Sequence, residues 1–253
     1  MKNRHCLNKC GCFESMRSLD GKIVYFYEHL ERLARSCRLL KLKLPARPIK
    51  LRSEIKKTIC LSEARDNYVR LTVQDSGAGS RYAILVKEYK PYPARKFKTG
   101  FRAGIAFKRQ DANFILAQIK ITDREFYESA YREAKARGFD EAVILNSYGY
   151  VAEGTRSNIF MVRSRELFTP ELDCACLDGI TRKVVFGLAK ISGINVFEAR
   201  FTLEDLCGSD EAFLTNSLMG IMPLVSIENK KVGSGKAGKL TRCFIKKYHS
   251  LLK

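Results

Sequence analysis

The chain has 253 residues, 45% of them hydrophobic, with 46 Lys and Arg against 27 Asp and Glu, a net charge of +19. That is enough to build a sizeable core, as one large domain or two smaller ones, and no window approaches the roughly 18 apolar residues that cross a bilayer. The start, "MKNRHCLNKCGCF", lacks the apolar run of a secretory signal, so a cytoplasmic chain is expected; the basic residues form no block and are not interleaved with aromatics, which argues against nucleic acid and for anionic small molecules.

Residues 11–27, "GCFESMRSLDGKIVYFY", predict two strands joined by an Asp20-Gly21 hairpin turn. In "EHLERLARSCRLLKLKLP", Leu30, Leu33, Ala34, Cys37 and Leu40 follow helical spacing, and Pro45 ends the pattern. A second helix is expected over 50–62. "NYVRLTV" (67–73) and "RYAILVKEY" (81–89) read as strands joined by the Gly-rich "QDSGAGS". "KPYPARK" (90–96) holds two of the six prolines and is the best linker. "GIAF" and "NFILAQIK" follow, the second an apolar strand leading to Lys120. "TDREFYESAYREAKARG" is the clearest helix, with Thr122 and Glu125 as a capping box, an apolar stripe through Phe126, Tyr127, Ala130, Tyr131 and Ala134, and Gly138 after its end. "EAVILN" and "SNIFMV" predict strands around "SYGYVAEGTR". "GITRKVVFGLAKISG" predicts a helix starting near Thr181, "EAFLTN" a strand, and 239–252 a last helix. Strands alternating with helices give a mixed α/β class.

"GSGKAGKLT" (233–241) nearly matches a phosphate loop, but Leu240 stands where the magnesium-binding hydroxyl belongs and no apolar strand precedes it. A Gly-rich turn into the last helix is the better reading. Nine cysteines without an export signal are expected to be reduced thiols. Cys6, Cys10 and Cys12 cluster beside His5 without paired C-x-x-C spacing, so no metal site is expected; Cys174 and Cys176 read as structural. His29 reads as a capping or packing histidine and Arg32 as a solvated face, each taken alone. Lys120 is unusual in leaving an apolar strand, where partial desolvation would lower its pKa and favour attack on a carbonyl.

Taken in order, "EHLERL", the lysine of "AQIK", "DEAVILNSYGYVAEGTRSNIF", "LDGITR" and "FLTNSLMGIMPLV" resemble the class IV aminotransferase family, fold-type IV enzymes that use pyridoxal 5′-phosphate. The resemblance runs from about residue 11 to the C-terminus. It implies that Lys120 is the lysine that binds the cofactor covalently and acts as catalyst. It implies that Glu153 pairs with the pyridine nitrogen, Arg32 with the phosphate, and Ile180 and Thr181 offer backbone amides to that phosphate. Ser217 stands where relatives have a phosphate-binding threonine, and Arg124 is placed near the phenolic oxygen. The family's opening strand and "YGDG" turn are replaced by "MKNRHCLNKCG", and Ser76 stands where an arginine is frequent.

The expectation is therefore a mixed α/β, two-domain fold: a small domain over 1–92, a linker at 93–96 and a large domain over 97–253, with the cofactor at the domain interface. A homodimer and a small anionic substrate follow from the resemblance. "NSLMGIMPLV" and Phe13 look most like the aminodeoxychorismate lyase branch, which converts 4-amino-4-deoxychorismate to 4-aminobenzoate and pyruvate in folate synthesis. Gly220 and Met222 replace an acid and a threonine of the transaminase pattern. The alternatives are a branched-chain or D-amino-acid transaminase using 2-oxoglutarate and, more remotely, a basic binding protein that kept the fold without activity.

Overall fold

The computed structural model describes residues 11–44 and 46–252. The chain falls into two compact units: one runs to Pro91 and includes Ile119–Arg124, the other holds Tyr92–Gln118 and the chain from Glu125 onward. His5, Cys6, Cys10 and Pro45, named above, lie outside the described residues.

The first unit is built on an antiparallel sheet in the order β2-β1-β3-β4, with β1 Cys12–Leu19, β2 Lys22–Ile23, β3 Asp66–Asp75 and β4 Ser80–Glu88. Asp20 and Gly21 turn the first hairpin with φ of 48° and 76°, the left-handed pair that Asp-Gly tolerates best. The second strand, expected to reach Tyr27, is only two residues long. Tyr25 takes φ 51° and helix α1 (Phe26–Leu39) starts at once. "IVYFY" reads as a strand in isolation, but the helix buries Phe26, Leu30, Leu33 and Cys37 on one face, and burial outweighs local β-propensity. Helix α2 (Pro48–Cys60) opens on a proline and buries Leu51, Ile55 and Ile59 at a spacing of four.

The second unit begins with the short helix α3 (Ala94–Thr99), so the proline-rich segment enters a helix. Its nine-stranded sheet runs β10-β9-β8-β11-β12-β5-β6-β7, with β13 beside β12. The strands are β5 Phe101–Ile105, β6 Glu141–Leu145, β7 Val151–Gly154, β8 Asn158–Arg163, β9 Glu166–Pro170, β10 Val196–Ala199, β11 Glu211–Asn216, β12 Gly220–Ile227 and β13 Lys230–Lys231. β7 touches β8 although four strands separate them in the sheet, so the sheet curls back on itself. Its helices are α4 (Glu125–Ala136), α5 (Ile180–Lys190), α6 (Leu203–Cys207) and α7 (Lys239–Leu251). One core gathers Phe101, Val143, Ile159, Leu214, Met222 and Leu224; another lies under Tyr127, Ala130 and Ala134 of α4. This is the mixed α/β architecture expected, with two sheets.

Two sequence expectations fail for identifiable reasons. The stretch before Lys120 is a 3-10 turn over Ile115–Gln118, not a strand. Asp111 folds the chain back there: Phe114 N donates to its carbonyl at 3.0 Å and Asn113 N to its carboxylate at 2.9 Å. Thr122 does not cap α4, which begins at Glu125. Its hydroxyl instead bonds the backbone of Gly11, accepting from the N–H at 3.0 Å and reaching the carbonyl at 3.3 Å. Gly138, by contrast, ends α4 with φ 82° as its position requires.

"GSGKAGKLT" is the helix-entering turn. Glu211 supplies its own carboxylate to the start of α7, accepting from Leu240 N at 3.0 Å, Thr241 N at 2.8 Å and Thr241 Oγ1 at 2.7 Å. A side chain at Gly238 would overlap that carboxylate. An internal anion thus fills the place a phosphate would take. Replacing Glu211 by Ala removes these bonds and strands the helix start, so urea unfolding should show a loss of about 1–3 kcal/mol. A loss below ~0.5 kcal/mol would show that the contact is incidental.

Candidate active site

In the first unit the site grows from β1. Alternation turns Cys12, Glu14 and Met16 toward α1, and Phe13 and Ser15 to the other face. Glu14 is 1% exposed and holds Arg32 bidentately, at 2.8 Å to Nε and 2.7 Å to Nη2. Its Oε2 also meets His29 Nδ1 at 2.7 Å. His29 and Arg32, three apart on α1, share the helix face that meets the strand. Burial would raise the Glu14 carboxyl, but the Arg32 charge and the hydrogen bonds from Arg32 and His29 outweigh it and hold Glu14 down at about 2. Burial lowers the pKa of His29, and the charges of Arg32 and Lys120 add to that; the bond to Glu14 opposes it only partly. His29 is therefore neutral at pH 7, and its Nδ1–H donates to Glu14.

Along the edge of β1, Phe13 N donates to the carbonyl of Lys120 at 2.9 Å, and Cys12 bridges Ile121. That contact fixes the backbone of the 119–124 segment. Lys120 is half-buried, with Nζ 5.1 Å from the centre of the Phe13 ring. The Arg70 guanidinium of β3 lies over the same ring at 3.8 Å. No carboxylate pairs with Arg70 among the described residues. Arg124 ends the segment, half-buried, directly before α4.

In the second unit the site grows from the turn between β7 and β8. Glu153, 5% exposed, sits in β7 opposite Ile144 of β6, and its Oε2 accepts from Leu177 N at 3.1 Å. Asn158 begins β8 and donates through Nδ2 to the Leu177 carbonyl at 2.7 Å. Its Oδ1 lies where a Cβ on Gly179 would overlap it, which is why glycine caps α5. Ile180 and Thr181 form the first turn of that helix, 3% and 1% exposed, and the Thr181 hydroxyl has no hydrogen-bond partner among the described residues. Ser217 lies in the β11–β12 turn. Asn216 Oδ1 organises that turn by accepting from Leu218 N (3.0 Å) and Met219 N (2.8 Å), and its Nδ2 ties it to the Arg156 carbonyl at 3.0 Å.

Glu153, Ile180, Thr181 and Ser217 lie in the second unit, where Leu177 and Asn158 connect Glu153 to the α5 start, while Arg32, Lys120 and Arg124 belong to the first. An anionic phosphate fits the free amides of the α5 start and an unpaired hydroxyl beside them. The buried Glu153 carboxylate fits a protonated ring nitrogen. No helix of the described residues is long and apolar enough to cross a membrane, and none of their His, Cys, Asp and Glu form a metal-binding group.

Sequence reasoning missed Glu14, Arg70, Glu141, Asn158 and Asn216. Glu14 was findable, because a lone acid alternating with Cys12 and Met16 on an inward face must have a partner. Glu141 carried a similar signal at the head of "EAVIL".

The acid limb of stability tests the Glu14 cluster. Glu14 titrates lower in the folded than in the unfolded chain, so its contribution is whole above its ordinary pKa of 4.5 and is lost as pH falls toward about 2. His29, also depressed, costs stability as pH falls below its ordinary 6.5. Glu14→Gln should flatten the limb below pH 4.5, keep the part that starts near 6.5, and cost about 3–5 kcal/mol at neutral pH by leaving Arg32 unpaired. Urea titrations across pH measure this; an unchanged limb below pH 4.5 would refute the assignment.

The match to known proteins is extensive. The family model described as amino-transferase class IV matches residues 11–227. A putative branched-chain-amino-acid aminotransferase of Methanocaldococcus jannaschii is 31% identical over 253 residues, covering 95% of this chain and 86% of the relative. A solved T.th. branched-chain amino acid aminotransferase with pyridoxamine 5′-phosphate superposes with a TM-score of 0.89 at 27% identity, covering 96% of this chain and 85% of that one. A putative 4-amino-4-deoxychorismate lyase from Legionella pneumophila gives a TM-score of 0.89 over 99% of this chain and 94% of its own, at 24% identity, a likeness of fold.

Proposed function

We propose that this chain, which belongs to the amino-transferase class IV family and is a pyridoxal 5′-phosphate enzyme, moves an amino group between an amino acid and an oxo acid. When bound, the cofactor supplies an electron sink for the pair left behind as the amine-bearing carbon loses its proton. Lys120 would hold the cofactor covalently through Nζ, and its free amine would be the base that moves the substrate proton. The Phe13 ring covers one side of that amine, its centre 5.1 Å from Nζ. Glu153 holds the proton on the pyridine nitrogen, with Leu177 N fixing its orientation. The Ile180 and Thr181 amides and the Thr181 and Ser217 hydroxyls would hold the phosphate, Arg32, its charge largely neutralised by Glu14, would orient it, and Arg124 would serve the phenolic oxygen.

One observation carries the choice of reaction. Arg70 and Lys120 lie against one aromatic ring, at 3.8 and 5.1 Å from its centre. A guanidinium with no carboxylate partner among the described residues, set against the same ring as the amine base, suits a substrate whose carboxylate adjoins its reacting carbon, as in an amino acid and its oxo acid. Branched-chain aminotransferases among the relatives support the same reading.

The lyase reaction is the second reading. Phe13 favours it, as an apolar wall for a ring that becomes aromatic, and so does the likeness of "NSLMGIMPLV" to that branch. The other two residues that favoured it are accounted for by packing. Met222 is fully buried in the core, and Gly220 has φ 73° with a Cβ position 2.6 Å from the Tyr248 ring, so neither replacement requires a lyase substrate.

The purified protein should be yellow, and borohydride should fix the label on Lys120. Lys120→Ala should still bind cofactor yet lose about four or more decades of rate. A label elsewhere, or none, would remove Lys120 from its role.

Parallel assays decide the reaction. Amino transfer from L-leucine or D-alanine to 2-oxoglutarate should run at least ~10²-fold faster than 4-aminobenzoate release from aminodeoxychorismate, a gap of about 2.7 kcal/mol. Aminobenzoate and pyruvate release without an oxo acid, at the faster rate, would replace the transferase by the lyase and leave the cofactor residues in place.

A further inference from the structure

Two strands of the second unit present one face to α5. β8 and β11 are antiparallel, with Phe160 opposite Phe213 and Asn158 opposite Thr215. Side chains alternate, so these four share a face, while Ile159, Met161, Ala212 and Leu214 lie in the core on the other. Phe160 and Phe213 stack at 5.0 Å, and Phe186 of α5 meets Phe160 edge-on at 6.1 Å. Two turns earlier on the same helix, Gly179 lies against Asn158 Oδ1. α5 therefore runs along this face, and its first turn lies over the Asn158–Thr215 pair.

At that place two hydroxyls are sealed in without partners. Thr181 and Thr215 are each 1% exposed, and neither Oγ1 has a hydrogen-bond partner among the described residues. A buried hydroxyl left unpaired is unfavourable. Two of them beside the N–H groups of a helix start point to an acceptor from outside the chain. The neighbouring charges are matched: Lys183 holds Asp178 at 2.9 Å, and Arg182 Nη2 pairs with Glu198.

We propose that Thr215 binds the same anionic oxygens as Thr181 and Ser217, so that three hydroxyls and the α5 amides form one phosphate cradle. This rests on the pyridoxal-phosphate reading. Thr215 lies two residues before Ser217, at the end of the strand that carries both toward the helix start.

The test is cofactor titration of the resolved apoenzyme, followed by absorbance. Thr215→Val keeps the shape and removes the hydroxyl. Its Kd for pyridoxal 5′-phosphate should rise about tenfold, the loss of one hydrogen bond to a charged group. Its affinity for pyridoxal, which has no phosphate, should stay at the wild-type value. The apoprotein should melt at or above the wild-type temperature, since a methyl replaces an unpaired polar group. Thr215→Ser, which keeps the hydroxyl, should bind as wild type. Thr169→Val is the control: its Oγ1 already donates to the Ile159 carbonyl at 2.8 Å, so its loss should lower the melting temperature and leave affinity alone. Wild-type affinity in Thr215→Val, or equal losses for pyridoxal and its phosphate, would overturn the assignment. Wild-type protein that takes up no cofactor would instead overturn the reading beneath it.

Discussion

The second unit is organised around a carboxylate that forms no ion pair among the described residues. Glu141 is 3% exposed, at the head of β6, and burial raises its pKa, partly offset by hydrogen bonds. Thr155 donates to it through both its amide and its hydroxyl, Ser157 Oγ donates at 3.0 Å, and Ala142 N at 2.9 Å. An acid sealed from water must be satisfied by donors fixed in place, so the turn between β7 and β8 is shaped by it. That turn is the "EGTRSN" run. Gly154 leaves room for Ser157, whose hydroxyl a Cβ would overlap. Thr155 and Ser157 serve Glu141, Arg156 pairs with Glu128 and stacks on Tyr131, and Asn158 reaches Leu177. Glu153 precedes the turn and the α5 start leans on its end. The spacing between Glu153 and the α5 start is thus set by a residue that belongs to neither.

Two helix starts in this unit look alike in sequence, "GKLT" and "GITR", and differ in what fills them. A helix N-terminus needs acceptors for its first amides. At α7, Glu211 from β11 provides them, and the glycine-rich approach only makes room for its carboxylate. At α5, Asp178 pairs with Lys183, and the Thr181 hydroxyl has no hydrogen-bond partner among the described residues. A helix start that the protein fills for itself has no amides left for a phosphate, and one without a side-chain cap keeps them available. Motif matching cannot separate these cases, because the deciding carboxylate is some thirty residues away in the chain.

Much of the fold was legible because it is periodic. Both long helices of the first unit, α4, α5 and α7 follow the 3.6-residue pattern. What was hidden depends on distant partners. β9, β10 and β12 are short or buried on both sides and show no alternation. "FILAQI" is apolar enough for a strand, but Asp111 bends it into a turn. Thr122 has the spacing of a cap and spends its hydroxyl on Gly11 instead. At the site, Lys120, Glu153 and Thr181 came from an ordered set of motifs. Glu14, Arg70 and Thr215 did not, because their meaning lies in neighbours on other elements: Arg32 of α1 at Glu14, Phe13 at Arg70, Asn158 beside Thr215.

Arg32 shows how a partner changes the meaning of a motif residue. The resemblance gives it to the phosphate, and a guanidinium is a good phosphate ligand. Yet two of its nitrogens are bound to Glu14, both groups lie almost wholly out of water, and His29 closes the cluster. Its charge is largely neutralised before any ligand arrives, so its pull on a phosphate is weaker than that of an unpaired arginine. Its removal would leave Glu14 buried and uncompensated, at a cost to folding greater than that of one lost ligand contact. The pair does favour a fixed guanidinium orientation, because a bidentate carboxylate locks the plane. Arg32 is thus better suited to aim a ligand than to attract one.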